Sequence, residues 1–478
     1  MTPCSRAARG RIGIVGGFGG FGGFGGIPST SRPICIEISV RFTDVSATAL
    51  VNRGSHSGVL GQAWPARRSR LHAKGSLAMS SYLSRRAAVA ASVLVLPTAL
   101  LCAAAPVAAQ PPDDPVLSRQ GMLGPFASEF HNFLSITVSE NTAVVGASWH
   151  NAAYVWERSG SSWSLQDTLL PEDGQENGFG RAVAVSGDTI VVGAVDEAHV
   201  FTRTGASWSQ QTELTSSEAN GFGTAVAVAG DTLVVGVPFG EFNNREVGLA
   251  RVYERSGDTW SSQATLTATP RGDGDRFGRS VAIIDDTVLV GAPFDDSVNH
   301  SDAGSAHVFT RDGTGWSHQA RLRAPARDRA EFDVFGLGVS LADDTAVVGA
   351  PLADVGTTTD VGSAYVFARQ GDSWSREVRL LMPEGSPGAM FGTGVAVSGD
   401  TVVVGASTHR GPGAGSAEVF VEAAGTWTHR ATLTRPRTTY FGYSVAASED
   451  TFLVTSNGFS HGSYHYGFAR AVVYVTEP

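Results

Sequence analysis

The stretch FGRAVAVSGDTIVVGA, residues 179–194, decides how this chain is read. After Phe179-Gly180, the segment Ala182-Val183-Ala184-Val185 alternates with period two and predicts a strand. Gly187-Asp188 follows, a two-residue turn whose glycine at the first central position suits a type II′ hairpin. The apolar run from Ile190 to Ala194 then reads as a second strand covered on both faces. Working outward, the same text recurs. Phe-Gly pairs open further units at Phe222, Phe277, Phe335, Phe391 and Phe441, and a worn copy, NFLSITVSENTAVVGA, begins at Asn132-Phe133. The unequal spacing between anchors suits blades with loops of different length better than a solenoid.

Each unit carries two more predicted strands. The third follows the rule Ala-x-Val-aromatic, at Ala153, Ala198, Ala250, Ala306, Ala364, Ala417 and Ala471. The fourth keeps Trp-(Ser/Thr)-x4-Leu, starting at Trp163, Trp208, Trp260, Trp316, Trp374 and Trp427. The last unit ends at Tyr474-Val475-Thr476-Glu477-Pro478 without a fourth strand, whereas Leu117 to Leu123 matches Trp163 to Leu169 with Leu in place of Trp. A ring closed by the N-terminal strand completing the last blade explains both facts and leaves no open sheet edge. The expectation is an all-β, seven-bladed β-propeller of four-stranded blades over residues 116–478. The repeated Trp and third-strand aromatics are expected to pack between blades.

Phe-Gly at the head of each unit, with Gly291-Ala292-Pro293 and Gly349-Ala350-Pro351 closing second strands, resembles the FG-GAP repeat of the integrin alpha-subunit propeller. The bacterial secreted form of that family is closer still, on Ser398 to Thr401, Gly362 to Phe367 and Trp374-Ser375. The resemblance implies an extracellular or cell-surface binding propeller with no catalytic activity in the repeat itself. Calcium-binding members carry Asp-x-Asp-x-Asp-Gly between their first two strands. Here that connection is a two-residue turn at Asp188, Asp231, Asp286, Asp344, Asp400 or Asp450, too few carboxylates for an oxygen cage. No cofactor is expected, with Ca2+ left open at other positions.

Composition narrows the function classes. Residues 1–109 hold 12 of the 35 basic residues and 2 of the 45 acidic ones. The remainder, without a single Lys, carries 23 Arg against 43 acidic residues, a net charge of −20. That balance excludes a nucleic-acid partner, which needs clustered positive charge. Cys4, Cys35 and Cys102 all precede residue 110, so the repeat region has no disulfide, zinc-thiolate site or cysteine nucleophile. Residues 79–109 read as a signal peptide, with Arg85-Arg86 before an apolar run and cleavage after Ala109. Residues 110–115 are a linker, and no stable membrane span is expected in the mature chain. Residues 1–78 are expected to be either a low-complexity, disordered leader or sequence upstream of the true start. Their G-x-G-x-x-G at Gly17, Gly19 and Gly22 cannot open a helix in FGGFGGIPSTSRP and is not a dinucleotide site.

In up-and-down blades, the second-to-third and fourth-to-first connections emerge on one face, and both sets are expected to be long. That face gathers Glu172, Asp173 and Glu176, then Asp273 and Asp275, Asp295, Asp296 and Asp302, Asp328, Glu331 and Asp333, and Asp354 and Asp360. It reads either as a rim for cations or basic ligands or as a solubilising surface. The candidate metal ligands are Asp273, Asp275, Asp295, Asp296, Asp302, Asp354 and Asp360. Arg271-Gly272-Asp273 spells an adhesion tripeptide made of three common loop residues, and His461 and His465 offer two imidazoles without an evident third ligand. No H-E-x-x-H or sialidase-type Asp-box is present. The leading expectation is a monomeric, exported, non-enzymatic binding or adhesion module for a surface protein or glycan, in the periplasm, on the cell surface or outside the cell. A propeller hydrolase or lyase using axial carboxylates or His, and a structural envelope component, are the alternatives.

Overall fold

A computed structural model describes residues 117–126, 134–216, 220–296, 300–313, 315–408, 414–435, 438, 440–456, 460–461, 464–465 and 469–476. The leader, the signal peptide, the linker and the Asn132-Phe133 anchor lie outside these residues. The repeat units fold as seven four-stranded antiparallel sheets. Numbered in chain order, the blades begin at Ser135, Ala182, Ala225, Ser280, Val339, Phe391 and Val445. Six run in simple up-and-down order. The seventh consists of Val445–Ser448, Thr451–Ser456, Ala469–Thr476 and, as its outer strand, Leu117–Phe126 from the start of the chain. Leu117 pairs with Thr476 and Leu123 with Ala471, so the strand expected to complete the ring does so. First strands of successive blades neighbour one another all the way round, including blade 7 against blade 1. A small two-stranded hairpin, Ser460–His461 with Tyr464–His465, sits in the second-to-third connection of blade 7.

The hairpins behave as their sequences dictate. Gly187, Gly230 and Gly399 stand at φ 53°, 53° and 54° in the first central turn position. Asp285 and Asp343 take the same position at φ 46°, where a Cβ costs energy. The aspartate at the second turn position has a structural use. Arg203, Arg255 and Arg311, each five residues beyond the third-strand Ala, bond Asp188, Asp231 and Asp286 through Nε at 2.7, 2.7 and 2.6 Å. Arg158 instead crosses from blade 1 to blade 7, bonding Asp450 at 2.9 Å and Thr451 Oγ1 at 2.9 Å.

Packing between blades is apolar at the centre of each interface. The second strands are buried almost throughout, and the anchors Phe179, Phe222, Phe277, Phe335, Phe391 and Phe441 are fully buried. The third- and fourth-strand ladders share one irregularity. In every blade the fourth strand bulges at the third residue after its Trp, or after Leu117 in the outer strand of blade 7. The bulge re-aims that side chain toward the next blade. Gln120 accepts the indole N–H of Trp163 at 2.9 Å, Gln166 that of Trp208 at 3.2 Å, and Gln211 that of Trp260 at 3.0 Å. Gln319 and Glu377 do the same for Trp374 and Trp427. The tryptophans therefore pack between blades as expected, five of the six with the indole N–H bonded to the bulge residue of the blade before.

The glycines of Phe-Gly and Gly-Ala face each other across every blade junction but one. A Cβ built on Gly349 would overlap the carbonyl oxygen of Gly392, and one on Gly405 that of Gly442. These overlaps are with backbone, so no side-chain rotation relieves them. Gly405→Ala is expected to destabilise the propeller by about 3 kcal/mol or more. Gly121→Ala, where a Cβ meets nothing within 4 Å, should change stability by less than about 1 kcal/mol. Chemical denaturation of both variants measures this, and equal midpoints would contradict the contact's role.

Candidate functional site

The candidate site is the face made by the second-to-third and fourth-to-first connections. The second-to-third connections are long in blades 3 to 7. They are short in blade 1, where Ser148–His150 forms one 3-10 turn, and in blade 2, where the strands resume at Glu197. The expectation of uniformly long loops fails there, because Asn151 at φ 50° and Asp196 at φ 65° close those chains tightly. The fourth-to-first loops that follow blades 3 to 6 zip onto the second-to-third loop of the preceding blade through backbone bonds, and after blades 1 and 2 the side chains of Asn151 and Asp196 accept the N–H of Phe179 and Gly221 instead. Phe335 N–H donates to Ala303 at 3.1 Å, Phe391 to Val361 at 2.9 Å and Phe441 to Ala414 at 3.0 Å. The face is thus a braced rim.

Six of the seven candidate aspartates take part in hydrogen bonds within this rim. Asp296 accepts the backbone N–H of Asp302 at 3.0 Å, and Asp354 accepts that of Asp360 at 3.0 Å, the same six-residue clamp in neighbouring blades. Asp275 is buried and accepts Gly272 N–H at 2.6 Å. Asp333, its counterpart one blade on, accepts Ala330 N–H at 2.6 Å. Asp295 is buried and holds Ser305 Oγ and the Arg321 guanidinium. Asp273 is exposed. Its neighbour Arg271 folds back, with Nε on Thr267 Oγ1 at 2.8 Å and its guanidinium 4.3 Å from the centre of the Phe242 ring. Among the described residues, no three His, Cys, Asp or Glu side chains stand so as to hold a metal ion. In their hairpin His461 pairs with Tyr464 and His465 with Ser460, and the side chains of both histidines lie outside the described residues.

A polar layer that sequence reading missed lies beneath this rim. It is built from the variable residue of Ala-x-Val-aromatic: Tyr154, His199, Arg251, His307, Tyr365 and Glu418 in blades 1 to 6. In blade 4 its proton order follows from donor counting. His318 donates to His307 Nδ1 at 3.0 Å, His307 Nε2 donates to Ser305 Oγ at 3.0 Å, and Ser305 donates to Asp295. Burial lowers both imidazole pKa values, which keeps them neutral, as this chain requires. Burial alone would raise Asp295, but the adjacent His307, the bond from Ser305 and the charge of Arg321 bring it below the usual carboxylate range. Ser305 is fully buried and donates to the aspartate, the opposite polarity to an activated nucleophile. In blade 6, buried Glu418 accepts from His429 at 2.8 Å, Ser416 at 2.9 Å and Thr432 at 2.5 Å. The sequence signal for this layer was present: the x position is polar or aromatic in six strands that otherwise alternate apolar residues.

Burial, reinforced by Asp295, pushes Asp275 up to about 6, and burial also pushes Asp333 up to about 6. Each binds its proton more tightly folded than unfolded, so its charge costs no stability below about pH 4 and costs progressively more as pH rises through 6. The loss is about 3 kcal/mol at most per group. Asp275→Asn is therefore expected to raise the melting temperature at pH 8 and to leave it unchanged at pH 4. Melts across that range measure the difference, and a variant that destabilises equally at both pH values would contradict the assignment.

Five tandem segments, residues 163–207, 208–253, 260–309, 316–367 and 374–421, match the FG-GAP repeat. No curated protein matches the chain. Among solved structures, a chain of the crystal structure of a mitotic checkpoint complex is similar with a TM-score of 0.48 and 12% identity, over 80% of this chain and 100% of that one. At that distance the likeness says nothing about function. The matched segments carry the Phe-Gly anchors, the hairpins and the third-strand rule described above, and together they span half of the sequence: the chain belongs to the FG-GAP repeat family.

Proposed function

We propose that this propeller is an exported, non-enzymatic binding module that recognises a surface protein or glycan through its long-loop face. One observation carries the reading. Among the described residues, eight large apolar side chains are exposed, and seven of them come from connections on that face. Trp149 (67% exposed), Leu170 and Val195 cluster in the loops of blades 1 and 2, Phe239 and Phe242 in blade 3, and Phe332 and Leu381 in the loops flanking blade 5. Leu165, on the outer strand of blade 1, is the exception. The opposite face carries two-residue turns of small and polar residues, and none of the exposed large apolar side chains stands in them. Apolar side chains ringed by charge on one side of a rigid scaffold are the usual anatomy of a recognition surface. No helix among the described residues is long and apolar enough to cross a membrane. Export rests on the signal-peptide reading of residues 79–109.

The test is binding of the exported protein, whose N-terminus should read Gln110, to a glycan array and to the producing cell's own surface fractions. Trp149→Ser is expected to weaken whatever binding is found by at least about tenfold, as for a central aromatic contact. Leu165→Ser should leave it within about twofold. Equal losses in both variants, or none in Trp149→Ser, would move the site off this face. An uncleaved, cytoplasmic product would remove the exported part of the reading.

A further inference from the structure

The repeats allow one blade to be read against another. The variable third-strand residue always faces a fixed fourth-strand partner in register. His307 lies opposite Arg321, Tyr365 opposite Arg379, Glu418 opposite Thr432, and His199 opposite Glu213. In blades 3 to 6 a basic side chain stands in this polar layer. Blade 3 places Arg251 there, bonded to Thr265 Oγ1 at 2.6 Å. In blade 4 the guanidinium of Arg321 binds Asp295. In blade 5 that of Arg379 binds Ser363 Oγ at 2.8 and 2.9 Å and the carbonyl of Asp354 at 3.1 Å. Blade 6 turns His429 onto Glu418.

Blade 2 has the acids without the guanidinium. Glu197 takes the position of Ser305, and Glu213 takes that of Arg321. His199 is fully buried, its ring edge-on to Phe179 at 5.1 Å, and its Nε2 points at Glu197 Oε2 from 3.4 Å. Neither of its ring nitrogens has a hydrogen-bond partner, nor does the buried Oδ1 of Asn177, whose amide N–H donates to Glu197. Three buried polar atoms thus border a carboxylate that burial and the charge of Glu213 push up in pKa. Leaving such groups unpaired is costly, and a guanidinium placed as in blade 4 would donate to the amide oxygen, to the carboxylates and to the ring nitrogen that carries no proton, the other ring N–H being left to Glu197. The short turn at Asp196 leaves Glu197 23% exposed, so the place is open to the long-loop face, beside exposed Val195.

We infer that the Glu197–His199–Glu213–Asn177 cluster of blade 2 is a binding slot for a guanidinium, the arginine side chain of a partner protein. The inference rests on the long-loop face being the recognition surface and specifies the partner's chemistry there. A planar guanidinium fits better than a metal ion, because it is what the same layer holds in blades 4 and 5. Its planar fork also reaches carboxylate, amide oxygen and imidazole at once.

The probe is a fluorescein-labelled hexa-arginine peptide, titrated against the full chain by anisotropy, with hexalysine beside it. Glu213→Arg supplies the guanidinium from within the blade, as in blade 4. It is expected to weaken hexa-arginine binding by at least about tenfold and to raise the melting temperature. Glu172→Arg makes the same charge change elsewhere on the face and should weaken binding by no more than about twofold. Should Glu213→Arg fail to fold, Glu213→Gln is expected to weaken binding by about fivefold. Equal losses in Glu213→Arg and Glu172→Arg would reduce the effect to general acidity and overturn the slot, as would tighter binding of hexalysine. Zn2+ or Ca2+ alone raising the melting temperature, with the rise lost in His199→Gln, would assign the cluster to a metal ion and overturn the guanidinium. If the Glu213 variants leave hexa-arginine binding intact while Trp149→Ser still abolishes surface binding, the slot falls and the face stands. If Trp149→Ser also has no effect, the face reading itself falls.

Discussion

In each blade junction from 1/2 to 6/7 the carbonyl oxygen of an Phe-Gly glycine presses against the Cα of a Gly-Ala glycine in the blade before. No side chain other than hydrogen fits on the second of these residues, so the backbones of neighbouring blades approach as closely as peptide planes can. Much else follows from that approach. It brings the anchor phenylalanine into the next interface, where it is fully buried among the second strands. It also lets the fourth-to-first loop bond the preceding second-to-third loop, which braces the candidate face. The family signature is therefore the trace of one steric constraint seen from its two sides.

The junction that breaks the rule supports this account. Between blades 7 and 1 the Gly-Ala position is Thr455-Ser456, and the Phe-Gly position is Asn132-Phe133, so both glycines are absent together. Other contacts join these blades. Arg158 reaches across to Asp450 and Thr451, and Gln120 on the N-terminal strand accepts from Trp163. Thr455 turns its hydroxyl inward within its own blade, accepting Ser444 N–H at 2.9 Å. The two ends of the repeat region meet inside blade 7, whose outer strand Leu117–Phe126 precedes blade 1 in the chain, and the side-chain bonds that cross the 7/1 junction are of the kinds that cross the others. At the bulge of blade 6, Arg430 stands at the position held by Gln or Glu in the others, and the Trp position of blade 7 is Leu117, which has no indole N–H to donate.

The fold was legible because its determinants are local and repeated. Period-two alternation, the two-residue turn and the Phe-Gly pair each lie within a few residues, and seven copies in register outweigh the ambiguity of any one. Closure was legible because Leu117 to Leu123 matches a fourth strand while the last unit lacks one. What sequence reading missed depends on register between strands and between blades. Gln166 and Gln211 look like ordinary surface residues until the bulge aims them at Trp208 and Trp260. Asp296 and Asp354 look like metal ligands until they are seen clamping Asp302 and Asp360. The polar layer was hidden because x in Ala-x-Val-aromatic reads as an outward position in a single strand, and becomes buried only when the next blade and the rim loops cover it.

That layer gives the scaffold its capacity for difference. The Ala, the Val and the aromatic around x are fixed by packing, so the blades cannot vary there without losing an interface. The x residue and its fourth-strand partner lie just below the rim, where burial is incomplete and loops of different length decide access. Blade 4 fills this place with a neutral imidazole pair and an Asp–Arg contact, and blade 6 with a glutamate satisfied by three donors. Blade 2 combines two acids and an unpartnered histidine with a rim loop too short to cover them. Buried polar groups are stable only when every member of the network is satisfied. Where that layer meets a rim loop too short to cover it, as at Glu197 in blade 2, its polar groups stay within reach of the long-loop face.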